Sequence, residues 1–215
     1  MKSKGLHLRI RIAALLILII SFCILAALVL NGGIAGFESG LYVILVQYMN
    51  PTLTRIMIAV TNMGSTVAVV TITVILLALP FTRKKFGLPI AVNAAGSATL
   101  NFVLKNVIAR PRPDKLWLIT ETGYGFPSGH AMNNAALYTM ILLIAFRQTE
   151  NIKIRISILL FALVMPFCIG ISRIYLGVHN AGDVLAGWVM GVFFALLVDT
   201  LWQFYNKKIM KRKCK

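Results

Sequence analysis

Charge is what this sequence has least of. Only 13% of its 215 residues are charged while 59% are hydrophobic, a balance that excludes an ordinary water-soluble domain, in which about a quarter of the residues are charged. Cysteine is scarce as well. Cys23 and Cys168 fall inside apolar stretches and Cys214 lies in the C-terminal tail, so no two share an oxidising compartment, which excludes a structural disulfide. Cys214 is penultimate rather than fourth from the end, which excludes a prenylation box. No internal repeat, low-complexity linker or soluble domain is visible, and residues 1–215 are expected to form a single membrane domain.

Long apolar runs are what the chain has in abundance. Crossing about 30 Å of hydrocarbon takes roughly 20 apolar residues as a helix. Six stretches approach that length: Ile12 to Leu30, Met57 to Leu79, Leu88 to Ile108, Ala131 to Phe146, Ile156 to Ile174 and Ala181 to Tyr205. The expected fold is therefore all-α, a polytopic bundle of six transmembrane helices. The first run follows Lys2, Lys4, Arg9 and Arg11 and is longer than a signal-peptide core, so it is expected to remain as an anchor.

Six acidic residues face 22 basic ones, a formal charge of +16. In a soluble protein this would suggest nucleic acid, but here the placement of the cations decides, and no nucleic-acid partner is expected. Four basic residues precede the first span. Arg83, Lys84 and Lys85 lie between the second and third, and Arg147, Lys153 and Arg155 between the fourth and fifth. Lys207, Lys208, Lys211, Arg212, Lys213 and Lys215 follow the last. These alternate loops share one side and hold sixteen of the 22 basic residues. The positive-inside rule makes that side cytoplasmic. A plasma-membrane protein with both termini cytoplasmic follows.

The other six basic residues, Arg55, Lys105, Arg110, Arg112, Lys115 and Arg173, lie on the opposite, extracytoplasmic side. The longest segments outside the spans, Asn31 to Arg55 and Ala109 to Gly129, also face that way. In the first, Phe37, Leu41, Ile44, Leu45 and Tyr48 recur at spacings of three and four. That pattern suits an amphipathic helix at the interface or a segment packed on the outer helix ends. Within the third span, Asn93, Ser97 and Asn101 share a helix face that continues to Lys105, and such polar groups should face the bundle interior.

With helix directions set by charge, the outer ends of spans three to six converge. Lys105, Arg112 and Arg173 gather there with few acids, and two guanidinium forks and an ammonium suit a phosphate. Ser128 and Gly129 precede the fourth helix, whose free N–H groups would point at the same anion. His179 and Asp183 are four apart, so their side chains stack on one helix face. The carboxylate would hold one imidazole nitrogen protonated and leave the other free to attack phosphorus. His130 could protonate the leaving alkoxide. Arg110 and Lys115 fall outside this set and are expected to contact lipid headgroups.

The three segments together resemble the type 2 phosphatidic acid phosphatases, whose signatures are K-x6-RP, PSGH and SR-x5-H-x3-D. They stand here as Lys105 to Pro113, Pro127 to His130 and Ser172 to Asp183. Only Arg112, not Arg110, satisfies the first spacing. The resemblance implies His179 as nucleophile, Asp183 as its orienting partner and His130 as general acid. Lys105, Arg112, Ser128, Gly129 and Arg173 would form the phosphate cradle. The family's site is similar to that of vanadium-dependent haloperoxidases, which are soluble. Members of this type work without a metal, so neither metal nor cofactor is expected, and the site holds no cluster of acids suited to Mg²⁺. One departure is Asn180, Ala181 and Gly182 between His179 and Asp183, where relatives often place an aromatic residue and a proline. It bears on substrate shape.

The expected activity is hydrolysis of a lipid phosphate or pyrophosphate, such as phosphatidylglycerol phosphate, phosphatidic acid or undecaprenyl pyrophosphate, through a phosphohistidine. The compact chain resembles bacterial members. Beyond the bilayer and this substrate, no obligate protein partner is expected. A phosphotransferase would use the same residues with a hydroxyl acceptor, and a non-catalytic lipid-binding protein would need the cations but not His179 with Asp183. Asp199, about 24 Å further along the last helix, is expected near the inner interface beside a basic or backbone partner, with no catalytic role.

Overall fold

The computed structural model describes residues 2–213, with side chains from residue 6 to residue 206. The side chains of Lys2, Lys4 and the basic tail from Lys207 onward, together with Cys214, lie outside the described residues. Among the described residues nine α-helices run in order: α1 (Lys2–Leu30), α2 (Ala35–Gln47), α3 (Pro51–Met63), α4 (Thr66–Ala78), α5 (Pro80–Thr82), α6 (Leu88–Ile108), α7 (Gly129–Gln148), α8 (Ile152–Tyr175) and α9 (Ala181–Lys213). A π turn, Arg83–Gly87, joins α5 to α6. No strand occurs among the described residues.

Among the described residues five helical segments are long and apolar enough to cross a bilayer, and a sixth span results if α3 and α4 count as one, bent by 42°. The chain is thus an all-α, multi-pass membrane protein. Its outward side chains are apolar along much of their length, as Ile17, Val67, Phe102 and Val107 show. Lipid is the solvent that such a surface requires.

The expected continuous helix from Met57 to Leu79 is not observed. Asn62 and Thr61 carbonyls close the end of α3 on Gly64, and the Ser65 hydroxyl accepts from the Ala68 N–H to start α4. Gly64 is held where a Cβ would sit 2.6 Å from Ile169 and 2.8 Å from the Asn134 amide. Its carbonyl accepts from that same Asn134 side chain at 2.8 Å. An Asn on α7 thus stabilises the break by bonding a carbonyl that a straight helix would satisfy itself.

Close packing of α7 against α9 brings the two histidine-bearing helix ends together. A Cβ at Gly191 would lie 2.3 Å from the Met132 carbonyl, and one at Gly187 would lie 2.8 Å from that of Ser128. Only glycine permits that approach. The polar face of α6 is turned inward as its spacing predicts: Asn93 and Ser97 are buried, the Ser97 hydroxyl meets Asn133 Oδ1 at 2.8 Å, and Asn101 Nδ2 donates to the Pro127 carbonyl at 3.2 Å.

Helix α2 exists, but its apolar positions divide. Leu41 and Leu45 pack inward on a cluster with Ile174 and Val184. Phe37, Ile44 and Tyr48 are exposed. Asp199 lies at the opposite end of the bundle beside basic partners, where Arg11 donates to its Oδ2 at 2.8 Å and Arg147 lies 2.6 Å from Oδ1.

Candidate active site

Ala109 ends α6 in the left-handed region, at φ 50°. That turn sends the chain sharply away from the helix axis into Arg110-Pro111-Arg112-Pro113, where each arginine precedes a proline and is biased to extended backbone. The loop then returns to α7. Gly125 N–H bonds the Arg110 carbonyl at 2.8 Å, and the Ser128 N–H bonds the Asp183 carbonyl at 2.9 Å. The Ser128 hydroxyl caps α7 by accepting from Ala131 N–H at 3.4 Å. Ser128 is fully buried, and Gly129 lies so close to Asn101 that an added Cβ would meet its Oδ1 at 3.0 Å.

At the start of α9, His179 Nδ1 lies 3.5 Å from Asp183 Oδ2. The same carboxylate oxygen accepts from the Asn180 N–H at 2.9 Å. Arg112 Nη1 faces His179 Nε2 at 3.2 Å. A guanidinium can only donate, so Nε2 is the bare nitrogen and Nδ1 carries the proton, facing the carboxylate. Burial pushes His179 down to about 4, against the opposing pull of Asp183. The imidazole is therefore neutral at pH 7, with a lone pair on its bare nitrogen.

Arg173, 1% exposed, donates from Nη1 to Thr61 Oγ1 at 2.9 Å and from Nη2 to Glu121. Its Nε is buried and has no protein partner. Arg112 holds the loop by donating to the carbonyls of Gly123 at 3.1 Å, Thr122 at 2.8 Å and Val178 at 3.0 Å, while Lys105 Nζ donates to the Tyr124 carbonyl. Burial tends to raise Glu121, but Arg173 and Arg112 outweigh it and keep the carboxyl below its usual range. Glu121 thus spans the two guanidinium groups as an anion.

Each residue expected in the site is brought to this end of the bundle. Lys105, Arg112, Gly129, His130, Arg173 and His179 line one cavity of about 470 Å³. Asp183 stands behind His179, and buried Ser128 caps the helix that carries His130.

Arg110 and Lys115 are not the headgroup contacts expected of them. Arg110 Nη1 donates to Asp183 Oδ1 at 2.6 Å, and its two terminal nitrogens grip Glu38 of α2 at 3.1 and 2.8 Å. Burial works against its charge, yet Glu38 and Asp183 more than offset this and raise its pKa. Lys115 Nζ donates to Asn180 Oδ1 at 2.8 Å and lies 4.3 Å from the Tyr42 ring centre. The reason is geometric: the turn at Ala109 folds the loop back over α9 instead of letting it run outward. Sequence spacing also missed Glu38, Glu121 and Thr61. One signal was available for Glu38, which stands three residues before Leu41 and seven before Leu45, a carboxylate in register with the buried stripe.

Among the described residues, no three His, Cys, Asp or Glu side chains form a group that could hold a metal. The cavity extends beyond the cations between α4 and α6, where Val70, Val74, Ala91 and Ala95 line it. One space therefore joins a cationic end to an apolar cleft.

Residues 86–208 match the family model described as PAP2 superfamily. The chain is 33% identical over 184 residues to phosphatidylglycerophosphatase B of Bacillus subtilis, covering 84% of this chain and 91% of that protein. It is 27% identical over 168 residues to undecaprenyl-diphosphatase of Sulfolobus acidocaldarius, covering 75% and 77% respectively. A crystal structure of a transmembrane PAP2 type phosphatidylglycerolphosphate phosphatase from Bacillus subtilis superposes with a TM-score of 0.80 at 31% identity, over 91% of this chain and 96% of that one. The Aquifex aeolicus LpxE structure, at 22% identity, shares the fold with a TM-score of 0.60 over 75% of this chain and 93% of that one.

Proposed function

Since the chain belongs to the PAP2 superfamily, we propose that it hydrolyses a lipid phosphate monoester or pyrophosphate through a phosphohistidine on His179. It is a multi-pass membrane enzyme of the lipid phosphatase class. The observation that carries the finer reading is the continuity of the cavity, with cations and imidazoles at one end and an apolar cleft at the other. An amphiphile can keep its tail among Val and Ala side chains while its headgroup meets Lys105, Arg112 and Arg173. The named relatives make phosphatidylglycerol phosphate and undecaprenyl pyrophosphate the first substrates to test, with phosphatidic acid beside them.

His179 Nε2 attacks phosphorus while the bond from phosphorus to the lipid oxygen breaks. His130, protonated against the bound phosphate dianion, gives that oxygen its proton and becomes neutral. Asp183 stabilises the positive charge that develops on the imidazole through the proton on Nδ1. Guanidinium donors and the α7 N-terminus hold the equatorial oxygens, where charge concentrates in the transition state. Neutral His130 then takes a proton from water, whose oxygen attacks phosphorus as the P–N bond breaks. Inorganic phosphate leaves and both histidines return to their starting states.

Rapid quench with labelled substrate tests this sequence of steps. With an activated aryl phosphate, whose leaving group needs no proton, His130→Ala should accumulate acid-labile, base-stable phosphate on the protein, and His179→Ala should never label. Wild type should stay active in EDTA and lose activity to vanadate. Robust turnover by His179→Ala, or a strict need for a divalent metal, would sink the mechanism. Candidate hydroxyl acceptors added to the same reaction would reveal a phosphotransferase as a new phosphorylated product.

The distribution of basic residues supports cytoplasmic termini and an extracytoplasmic site in the plasma membrane. In a variant lacking the native cysteines, a cysteine at exposed Ser39 should react with an impermeant thiol reagent in intact cells. Labelling at Glu150 instead would reverse the orientation.

A further inference from the structure

The reading of His179 as nucleophile leaves unexplained why a buried glutamate from α2 reaches the start of α9. Glu38 is 6% exposed, although it lies on a helix with four exposed large apolar side chains, Phe37, Val43, Ile44 and Val46. Both of its oxygens are occupied by Arg110, and Oε1 also accepts from the Gly182 N–H at 3.1 Å. That approach requires glycine at 182, where an added Cβ would sit 2.6 Å from the same oxygen. Two carboxylates, Glu38 and Asp183, are therefore drawn close together, and the guanidinium between them is what makes this tolerable.

The bidentate grip on Glu38 fixes the plane of the guanidinium and aims Nη1 at Asp183 Oδ1, 2.6 Å away. The other oxygen, Oδ2, faces the Asn180 N–H and His179 Nδ1. With Oδ1 tied to Arg110 and Oδ2 to the helix start, the carboxylate cannot rotate, and the imidazole that depends on it keeps one orientation. Neither Glu38 nor Arg110 lines the cavity.

We propose that Arg110 and Glu38 are positioning residues, which act on the reaction only by holding Asp183 and, through it, His179. The proposal rests on the nucleophile reading above. It assigns α2 a function as well: this outer helix supplies one corner of the support for the catalytic pair.

The test measures kcat and KM on dioctanoyl phosphatidic acid in detergent micelles for Arg110→Gln and Glu38→Gln, each also in an Asp183→Asn background. Glu38→Gln keeps the side chain's shape and guards against a folding defect, which size-exclusion profiles would reveal. Arg110→Gln should lower kcat about thirtyfold with KM within about twofold, since loss of orientation around a group that stays present weakens the transition state more than the ground state. Glu38→Gln should lower kcat about fivefold, again with little change in KM. In the Asp183→Asn background, Arg110→Gln should cost no more than about threefold further, because residues acting as a unit are non-additive.

Wild-type kcat in Arg110→Gln would overturn the proposal. So would a raised KM at unchanged kcat, which would make Arg110 a substrate-binding residue, or an equal fold-loss in the Asp183→Asn background. Robust turnover by His179→Ala would overturn the nucleophile reading along with this one, so the two failures are distinguishable.

Discussion

Helix α9 buries two aspartates at opposite ends of the bundle, Asp183 at 0% and Asp199 at 1% exposed, and each is met by arginine. Asp199 is held by basic and amide side chains of its own and neighbouring helices. Arg11 of α1 and Gln203 of α9 each donate to Oδ2 at 2.8 Å, and Arg147 of α7 lies 2.6 Å from Oδ1. It ties three helices together. Asp183 instead has arginine on one oxygen and a histidine on the other, and that histidine lines a cavity. Burial and pairing are the same at both ends. What differs is that Asp183 supports a group with a free nitrogen facing open space.

The charge balance differs too. Among the residues that line the cavity, Lys105, Arg112 and Arg173 face one carboxylate, Glu121, and a buried Arg173 Nε has no protein partner. Three cations to one carboxylate leaves a surplus of about two charges, which a phosphate monoester at neutral pH would match. A structural ion pair has no use for such a surplus, whereas an anion-binding site depends on it.

Substitutions at the two ends should separate these roles, beginning with the largest effect. His179→Ala should lower kcat by about ten-thousandfold or more, as loss of a nucleophile does. Steady-state assay against labelled lipid phosphate checks this, and a loss under tenfold would erase the distinction between the two ends.

Asp183→Asn should cost about a thousandfold in kcat, because an amide can leave the imidazole in the wrong tautomer. Its pH profile sharpens the comparison. In wild type, kcat/KM should fall as pH drops through about 4, where burial has placed the His179 ionisation and protonation removes the nucleophile. Asp183 holds that value up, so Asp183→Asn should shift the acid limb to lower pH. A shift upward would mean that the carboxylate does not face the imidazole.

Arg173→Lys should lose about a hundredfold in kcat/KM although charge is kept, since an ammonium cannot replace a guanidinium that bonds Thr61 and Glu121 while keeping Nε available. Near-normal kinetics would show that the unpartnered donor is not meant for phosphate. The smallest catalytic effect belongs to Asp199→Asn, with kcat within about twofold of wild type and an unfolding temperature lower by about 5 °C or more, the signature of a broken buried ion pair. A catalytic loss at Asp199 matching that at Asp183 would make the two ends equivalent.

The same contrast marks how far the residues could be read without a fold. Apolar runs determined the helices, because hydrocarbon leaves the backbone no other way to satisfy its hydrogen bonds. Alternating basic loops predicted which helix ends meet, and local spacings predicted the partners His179 and Asp183, since a separation of four stacks two side chains on any helix. Arg110 and Arg112, by contrast, stand two residues apart with identical chemistry, each followed by a proline. Only the left-handed turn at Ala109 and the return of the loop over α9 decided that Arg112 faces His179 while Arg110 faces Asp183. Glu38 was hidden for the same reason. It meets Gly182 across 144 residues, a distance over which no periodicity carries information. Helices and their facing side chains follow from short-range geometry that the sequence by itself determines; which loop cation neutralises which buried acid follows from desolvation, and only the tertiary structure decides what is desolvated together.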